Sequence, residues 1–340
     1  MILIMKSNAK EKQIQKLIDH IEREGIKLHI NNEKDGTIIR LIGDTSNIEP
    51  DTFKSFVGVE KIVLISKSYK LTSREFHPED TLVDVNGVKI GNGSMTIMAG
   101  PCSIESLDQI RQSAEIAKKG GASILRGGAF KPRTSPYSFQ GLEEEGLKYI
   151  RQAADEYDMQ VITEVMDEEH IPMVTQYSDI LQVGSRNMQN FKLLEALGKT
   201  KKPIGLKRGM AATIDEWLNA AEYIAKEGNF NIIFIERGIR TYERATRNTL
   251  DLSAVPLIKS LSHFPIIVDP SHAVGVWDLV TPMARAAIGA GADGLMVEIH
   301  PDPENAWSDG GQSLNEDTYL AMMEEIKIMK KAMDEINRLV

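Results

Sequence analysis

From Met95 onward the chain repeatedly ends a short apolar run on a residue able to do chemistry: Cys102, Arg126, Glu164, Arg186, Lys207 with Arg208, Glu236 with Arg237, Asp269 with His272, and Glu298 with His300. Lys131 and Arg133 lie in the loop after the second run, and Asp309 follows the last. Cys102, His272, Glu298 and Asp309 together offer a thiolate, an imidazole and two carboxylates, a donor set that suits a divalent transition metal with one position left for water or substrate. No short ligand spacing such as Cys-x-x-Cys accompanies them, so a packed thiol and a solvated imidazole stand as the competing reading. Arg126, Lys131, Arg133, Arg186, Lys207 and Arg237 form a second set. Arginine presents a planar fork to carboxylate or phosphate oxygens, and lysine a compact charge or a proton. Gathered in one cleft these cations repel one another unless an anion sits among them, which points to a substrate with several negative charges, phosphate foremost. The alternative is that each pairs with one of the 49 acidic side chains.

The apolar runs themselves must bring these residues together. They are Met95-Thr-Ile-Met-Ala-Gly100, Ser123-Ile-Leu-Arg-Gly127, Gln160-Val-Ile-Thr-Glu164, Ile180-Leu-Gln-Val-Gly184, Pro203-Ile-Gly-Leu-Lys207, Asn231-Ile-Ile-Phe-Ile-Glu236, Pro265-Ile-Ile-Val-Asp269 and Gly294-Leu-Met-Val-Glu298. Uninterrupted apolar strands, each followed by room for a crossover helix, belong in a parallel sheet covered on its faces. Eight such units predict a (β/α)8 barrel, in which every strand's C-terminal end opens on the face where active sites are built. An open doubly wound sheet is the structural alternative. It fits less well, because no Gly-x-Gly-x-x-Gly opens a first helix and polar residues recur at nearly every strand end.

The first 70 or so residues read differently. Ile2 to Met5, Thr37 to Gly43 and Val59 to Ser66 read as strands. Glu11 to Gly25, with Ile14, Leu17, Ile18 and Ile21 at helical spacing, and Asp51 to Phe56 read as helices. The overall order is roughly βαββαβ, an order that commonly makes a small two-layer sandwich. The expected division is therefore a small domain over 1–67, a polar linker over 68–82, and the barrel over 83–340.

Composition limits the rest. The chain has 340 residues, 42% of them hydrophobic, and no apolar run long enough to span a membrane, which describes a globular chain with ample core. The N-terminus turns polar after Met5, unlike a secretory signal, and a single cysteine cannot form an internal bridge, so the cytoplasm is the expected compartment. A net charge of -9 without a dense Lys/Arg block argues against duplex nucleic acid or an anionic membrane as partner.

At Arg126-Gly-Gly-Ala-Phe-Lys-Pro-Arg-Thr-Ser-Pro136, with Ala99-Gly-Pro-Cys102 before it and Val268-Asp-Pro-Ser-His272 after it, the sequence resembles the 3-deoxy-D-arabino-heptulosonate 7-phosphate (DAHP) synthases of the type Iβ branch. Octulosonate 8-phosphate synthases share the barrel and the reaction type but carry a different motif after the second strand. The first 67 residues are similar to the ferredoxin-like regulatory domain of feedback-inhibited members, not to the chorismate mutase domain of others. The resemblance implies condensation of phosphoenolpyruvate with erythrose 4-phosphate, releasing phosphate, at the entry of the shikimate pathway to aromatic amino acids. Residue by residue, it implies that Cys102, His272, Glu298 and Asp309 bind one divalent metal ion (Mn, Fe, Zn, Co or similar). It implies that Arg126, Lys131, Arg186, Lys207 and Arg237 hold phosphoenolpyruvate, and that Arg133 and Thr134 take the sugar phosphate. It further implies a tyrosine or phenylalanine effector at the small domain and a homotetramer. Lys131, near both substrates in the resemblance, is the candidate proton donor, with Cys102 and His272 completing the catalytic set through the metal. A metal-dependent aldolase or octulosonate-type synthase, and a non-catalytic phosphometabolite-binding barrel, are the alternatives.

Overall fold

The computed structural model describes residues 1–33, 36–42, 50–63, 68–131, 137 and 139–339. Two compact units emerge, Met1–Pro78 and Glu79–Val340.

In the first unit the elements run β1 (Ile2–Met5), α1 (Glu11–Arg23), β2 (Lys27–Glu33), β3 (Gly36–Ile42), α2 (Pro50–Lys54) and β4 (Val59–Val63). They form an antiparallel sheet in the order β2-β3-β1-β4, with Leu3 opposite both Ile39 and Ile62. Leu17, Ile18 and Ile21 put one apolar face of α1 into a core with Leu3, Met5, Ile39, Leu41 and Phe53, the expected consequence of a 3.6-residue period meeting a period of two. The βαββαβ reading is therefore realised. Its unnamed second strand is β2, whose alternating Lys27-Leu-His-Ile30 carries little apolar signal.

Residues 68–78, read from the sequence as linker, lie with the first unit, because Phe76 packs there. Its ring centroid is 5.5 Å from that of His29, and the Arg40 guanidinium lies 5.2 Å over it. The remainder of that stretch lies with the second unit. Thr81 donates its backbone N–H to the His263 carbonyl at 2.7 Å, and its hydroxyl meets His263 Nδ1 at 2.6 Å.

The second unit opens on a hairpin, β5 (Val83–Val85) and β6 (Val88–Ile90), and continues as eight strands: β7 (Thr96–Gly100), β8 (Ile124–Arg126), β9 (Gln160–Glu164), β10 (Ile180–Val183), β11 (Ile204–Lys207), β12 (Ile232–Glu236), β13 (Ile266–Val268) and β14 (Gly294–Glu298). All eight pair in parallel with their sequence neighbours and close into a barrel where β14 meets β7, Met296 opposite Met98 and Glu298 opposite Gly100. Helices α3 (Leu107–Lys119), α4 (Glu143–Glu156), α5 (Ile171–Tyr177), α6 (Phe191–Gly198), α7 (Ile214–Lys226), α8 (Ala254–Leu261), α9 (Pro270–Val274), α10 (Trp277–Gly289) and α11 (Glu316–Ile336) follow. Each of the eight apolar runs contains one barrel strand, so the (β/α)8 expectation holds and the open sheet does not.

The barrel interior is packed. Met98, Ile124, Ile162, Ile180, Ile233, Ile235, Ile267 and Met296 form one buried cluster, and Val83, Val85 and Ile90 of the hairpin join it. The hairpin thus plugs the barrel, and Asn86 fastens it by donating to Gln160 Oε1 at 2.7 Å and Asp179 Oδ1 at 3.0 Å. No helix of the described residues is long and apolar enough to cross a membrane.

Candidate active site

The closing seam of the barrel positions the thiol and the carboxylates. β7 ends at Gly100 and β14 at its partner Glu298, so Cys102, two residues beyond one strand, reaches the carboxylate that ends the other. Cys102 Sγ, a carboxylate oxygen of Glu298 and one of Asp309 lie within 4.8 Å of one another. Asp309 sits at φ 52, a left-handed conformation that an aspartate tolerates better than most residues, and its Oδ2 is 3.3 Å from the sulfur.

His272 arrives from β13 on a helix that its own sequence specifies. Asp269 caps α9 by accepting the His272 N–H at 3.0 Å, Pro270 occupies the first turn, and Gly275 ends the helix at φ 72. The imidazole then stands between two carboxylates. Nδ1 is 2.7 Å from Asp269 Oδ2 and Nε2 is 3.3 Å from Glu298 Oε1. His272 is therefore beside the trio of potential ligands without lying within the mutual distance that defines it.

The electrostatics suit a cation at this point. Burial, then the Glu298 carboxylate, push the Cys102 thiol up to about 11. Burial works to raise Glu298 and Asp309 as well, but His272 and Arg126 hold Glu298 below its ordinary value, and Arg247 and His272 hold Asp309 down to about 2. Burial lowers the His272 imidazole below its usual value against the opposing pull of Asp269 and Glu298, in the direction of the neutral ring that ligates a metal. One soft and two hard anionic donors with a neutral imidazole adjacent match the coordination chemistry of a divalent transition metal, and the residues present fit that group.

The basic residues divide into three groups. Arg126 and Lys207 are buried and paired: Arg126 Nη1 donates to Glu298 Oε1 at 2.8 Å and the Pro101 carbonyl at 2.7 Å, and Lys207 Nζ to Asp269 Oδ2 at 2.7 Å. For these two, the pairing alternative is partly realised. Arg237 and Arg186 are different. Arg237 is buried and bonds only backbone carbonyls, of His272 at 3.2 Å and Gly238 at 3.5 Å, and among the described residues no carboxylate lies within ion-pairing distance of it. Its guanidinium is lowered from the ordinary value by burial and by neighbours that include Arg247 and Arg186. Arg186 is exposed on the turn after β10 and forms no ion pair among the described residues. Lys131 makes the third group, its Nζ 3.0 Å from both the sulfur and the carbonyl oxygen of Cys102. Arg133 and Thr134 lie outside the described residues.

Three other strand-end residues serve the framework. Arg208 donates to Glu236 Oε2 at 2.9 Å and Asp251 Oδ2 at 2.7 Å, and His300 Nε2 meets Glu105 Oε2 at 3.3 Å. Glu164 sits beneath the basic group, raised by burial against the pull of Lys131, Lys207, Arg126 and Arg186. Space for its carboxylate requires a glycine next door: a Cβ on Gly184 would stand 2.0 Å from Glu164 Oε1. Sequence reasoning missed Arg247 and Gln312, which contact Asp309 and Glu298. Arg247 lies in a loop and Gln312 ends a short 3-10 turn, both away from any strand end, so no spacing marked them.

Comparison with known proteins agrees with this architecture. The sequence model of the DAHP synthetase I family matches residues 69–335, and that of the DAHP synthase ferredoxin-like domain matches residues 1–67. A phospho-2-dehydro-3-deoxyheptonate aldolase of Thermotoga maritima is 52% identical over 333 residues, covering 98% of each chain. The crystal structure of a protein of that name from the same organism superposes with a TM-score of 0.78 at 51% identity, over 98% of this chain and 97% of the other. A 2-dehydro-3-deoxyphosphooctonate aldolase of Desulfosudis oleivorans is 31% identical and covers 69% of this chain and 90% of its own.

Proposed function

The chain belongs to the DAHP synthetase I family, and from that premise we propose how the residues at its barrel mouth divide the work of the family reaction. The enzyme condenses phosphoenolpyruvate with erythrose 4-phosphate and water to give DAHP and phosphate, the first step of the shikimate pathway. The octonate alternative is not favoured, since those relatives match at 31% identity or less and over at most 73% of this chain.

Cys102, His272, Glu298 and Asp309 would hold one divalent ion, and the mixed sulfur, nitrogen and oxygen donors admit Mn, Fe, Zn or Co. Such an ion, when bound, supplies a Lewis acid for the sugar aldehyde. Arg186, Arg237, Lys207 and Arg126 take the phosphate and carboxylate of phosphoenolpyruvate. Arg237 is the anchor, because a buried guanidinium without a carboxylate partner is costly until an anion arrives. Arg133 and Thr134 take the sugar phosphate. Holding both substrates fixes C3 of the enol ester against the aldehyde carbon, a positioning effect of about 7 to 11 kcal/mol in favourable cases. Lys131 gives its proton to the aldehyde oxygen as the carbon–carbon bond forms, and water then captures the cationic centre left at C2 and loses a proton. The resulting hemiketal phosphate breaks the bond between C2 and the bridging phosphate oxygen, releasing phosphate and leaving the ketone.

One observation carries this reading: thiol and carboxylates converge at the seam between β7 and β14, with the His272 imidazole against Glu298 and a buried arginine that has no carboxylate partner among the described residues. Phosphate release, measured with phosphoenolpyruvate and either erythrose 4-phosphate or arabinose 5-phosphate, with and without chelator, tests it. Release only with erythrose 4-phosphate, abolished by chelator and restored by divalent ion, is the expected result. Full activity after exhaustive chelation would remove the ion from the mechanism.

The ferredoxin-like unit is regulatory, and the reading extends to tyrosine or phenylalanine as its effector, a homotetramer as the working assembly, and the cytoplasm as its compartment. The family resemblance supports the first two, and the lone cysteine the third.

A further inference from the structure

The loop after β12 and the loop after β14 meet behind the proposed metal ligands. The first is zipped onto α9, with Arg247 N–H donating to the Val274 carbonyl at 2.9 Å and Asn248 N–H to that of Ala273 at 2.8 Å. From there Arg247 Nη1 reaches Gln312 Oε1 at 2.8 Å and Asp309 Oδ2 at 3.3 Å. Gln312, only 3% exposed, turns its amide the other way and donates from Nε2 to Glu298 Oε2. Asn248 Nδ2 meanwhile donates to the carbonyl of His272 at 3.0 Å. Three candidate ligands are thus tied to one strap of chain.

We propose that Arg247 and Gln312 are positioning residues of the metal centre, acting as a single relay that fixes the carboxylates of Glu298 and Asp309 for the ion. This rests on the metal reading given above and adds residues that touch neither substrate nor ion. The physical reason lies in the division of Glu298. Its Oε1 accepts from Arg126 and its Oε2 from Gln312, so the carboxylate plane cannot turn, and the amide of Gln312 is itself oriented by Arg247. Without the relay Glu298 is held only at Oε1, by Arg126 and His272, and Asp309 loses the one ion pair it forms among the described residues. Outer partners of this kind govern metal affinity by about 10–100-fold. The backbone makes room for the strap as well. At Gly275 a Cβ would lie 2.5 Å from Arg247 Cβ, and the φ of +72 already disfavours one.

The test uses Co2+ as probe on the full-length, metal-stripped protein. Affinity is measured by competition with a chromophoric chelator, and the thiolate-to-cobalt and d–d bands report the ligand geometry. Gln312→Met keeps the volume and removes both hydrogen bonds. Arg247→Met cuts the relay from its half-exposed end, where folding is less at risk. Each variant is expected to weaken Co2+ binding about 10–100-fold and to alter the d–d bands, while saturating metal restores most of the turnover. The double variant is expected to lose no more than the worse single one, because the two act as a unit. A purely structural role would lower the melting temperature and leave affinity and spectrum as in the wild type, and that result overturns the proposal. So would additive losses in the double variant. A wild-type protein that takes up no Co2+ would instead overturn the metal reading, and the relay with it.

Discussion

Lys131 holds its ammonium 3.0 Å from the sulfur of Cys102, close enough to the proposed reaction centre to deliver a proton without a long side-chain movement. Lys131→Met is expected to lower turnover about 10²–10⁴-fold, and near-normal turnover with intact substrate affinity would reassign the proton donor. The thiol makes a second prediction. With a proton held up to about pH 11, Cys102 must release it to the solvent when it ligates an ion at neutral pH. Metal affinity should therefore rise with pH, by about tenfold per unit while the thiol stays protonated in the free protein. Calorimetric titration of the stripped enzyme in buffers of different ionisation heat checks this, and an affinity flat between about pH 6.5 and 8.5 would mean the thiol is no ligand. Cys102→Ala should not be rescued at ordinary metal levels. At this scale the sequence was informative wherever a reactive residue ended an apolar run, as at Arg126, Glu298 and Arg237. It was silent at Arg247 and Gln312, whose importance arises from two loops meeting in space. It also could not separate Arg237 from Arg208, two neighbouring strand-end cations of which one has no carboxylate partner among the described residues and the other is tied to Glu236 and Asp251.

Among the elements, the barrel strands were readable because a parallel strand buried on both sides must be continuously apolar. The β5–β6 hairpin was overlooked although it carries a clear mark. Asn86-Gly87, at φ 49 and φ 94, is the turn that two-residue hairpins favour, and its flanking residues alternate Val83-Asp-Val and Val88-Lys-Ile. Strands of three residues fall below the length at which periodicity is convincing, so the turn was the only usable signal. α9 is marked as plainly, since its five residues begin at a proline and lie between a capping aspartate and a left-handed glycine, and it too was passed over. Gly275→Ala is expected to destabilise the barrel by about 1–2 kcal/mol and to loosen metal retention, because the new methyl displaces Arg247. Thermal unfolding with and without added metal reads both effects, and an unchanged melting temperature would show that the strap yields without strain. At α7, Thr213 accepts from Glu216 N–H at 3.2 Å while its own N–H donates back to that side chain at 2.8 Å. Thr213→Ala should cost about 1 kcal/mol and leave turnover unchanged, and a loss of activity without loss of stability would contradict this.

For the whole molecule, composition and element order separated a small regulatory unit from a catalytic barrel, and the contacts show how the stretch between them is shared. Within the polar stretch read as linker over 68–82, Phe76 belongs to the packing of the first unit and Thr81 to that of the second. One aromatic ring in a charged stretch decides such a boundary, and no composition average registers it. A chain beginning at Glu79 is expected to keep phosphate release and to lose inhibition by tyrosine or phenylalanine, since an effector acts only through a difference in affinity between two arrangements. Unchanged inhibition of that shortened enzyme would put the effector site in the barrel. The seam at β7 and β14 reaches into protein synthesis as well. Cys102 leaves the ribosome about two hundred residues before Glu298 and Asp309 follow it, so a nascent chain cannot assemble the proposed donor set until its final strand has been made and the ring has shut. Ion capture would then certify a finished barrel, and fragments stalled short of that strand would emerge with the thiol but without Glu298 and Asp309.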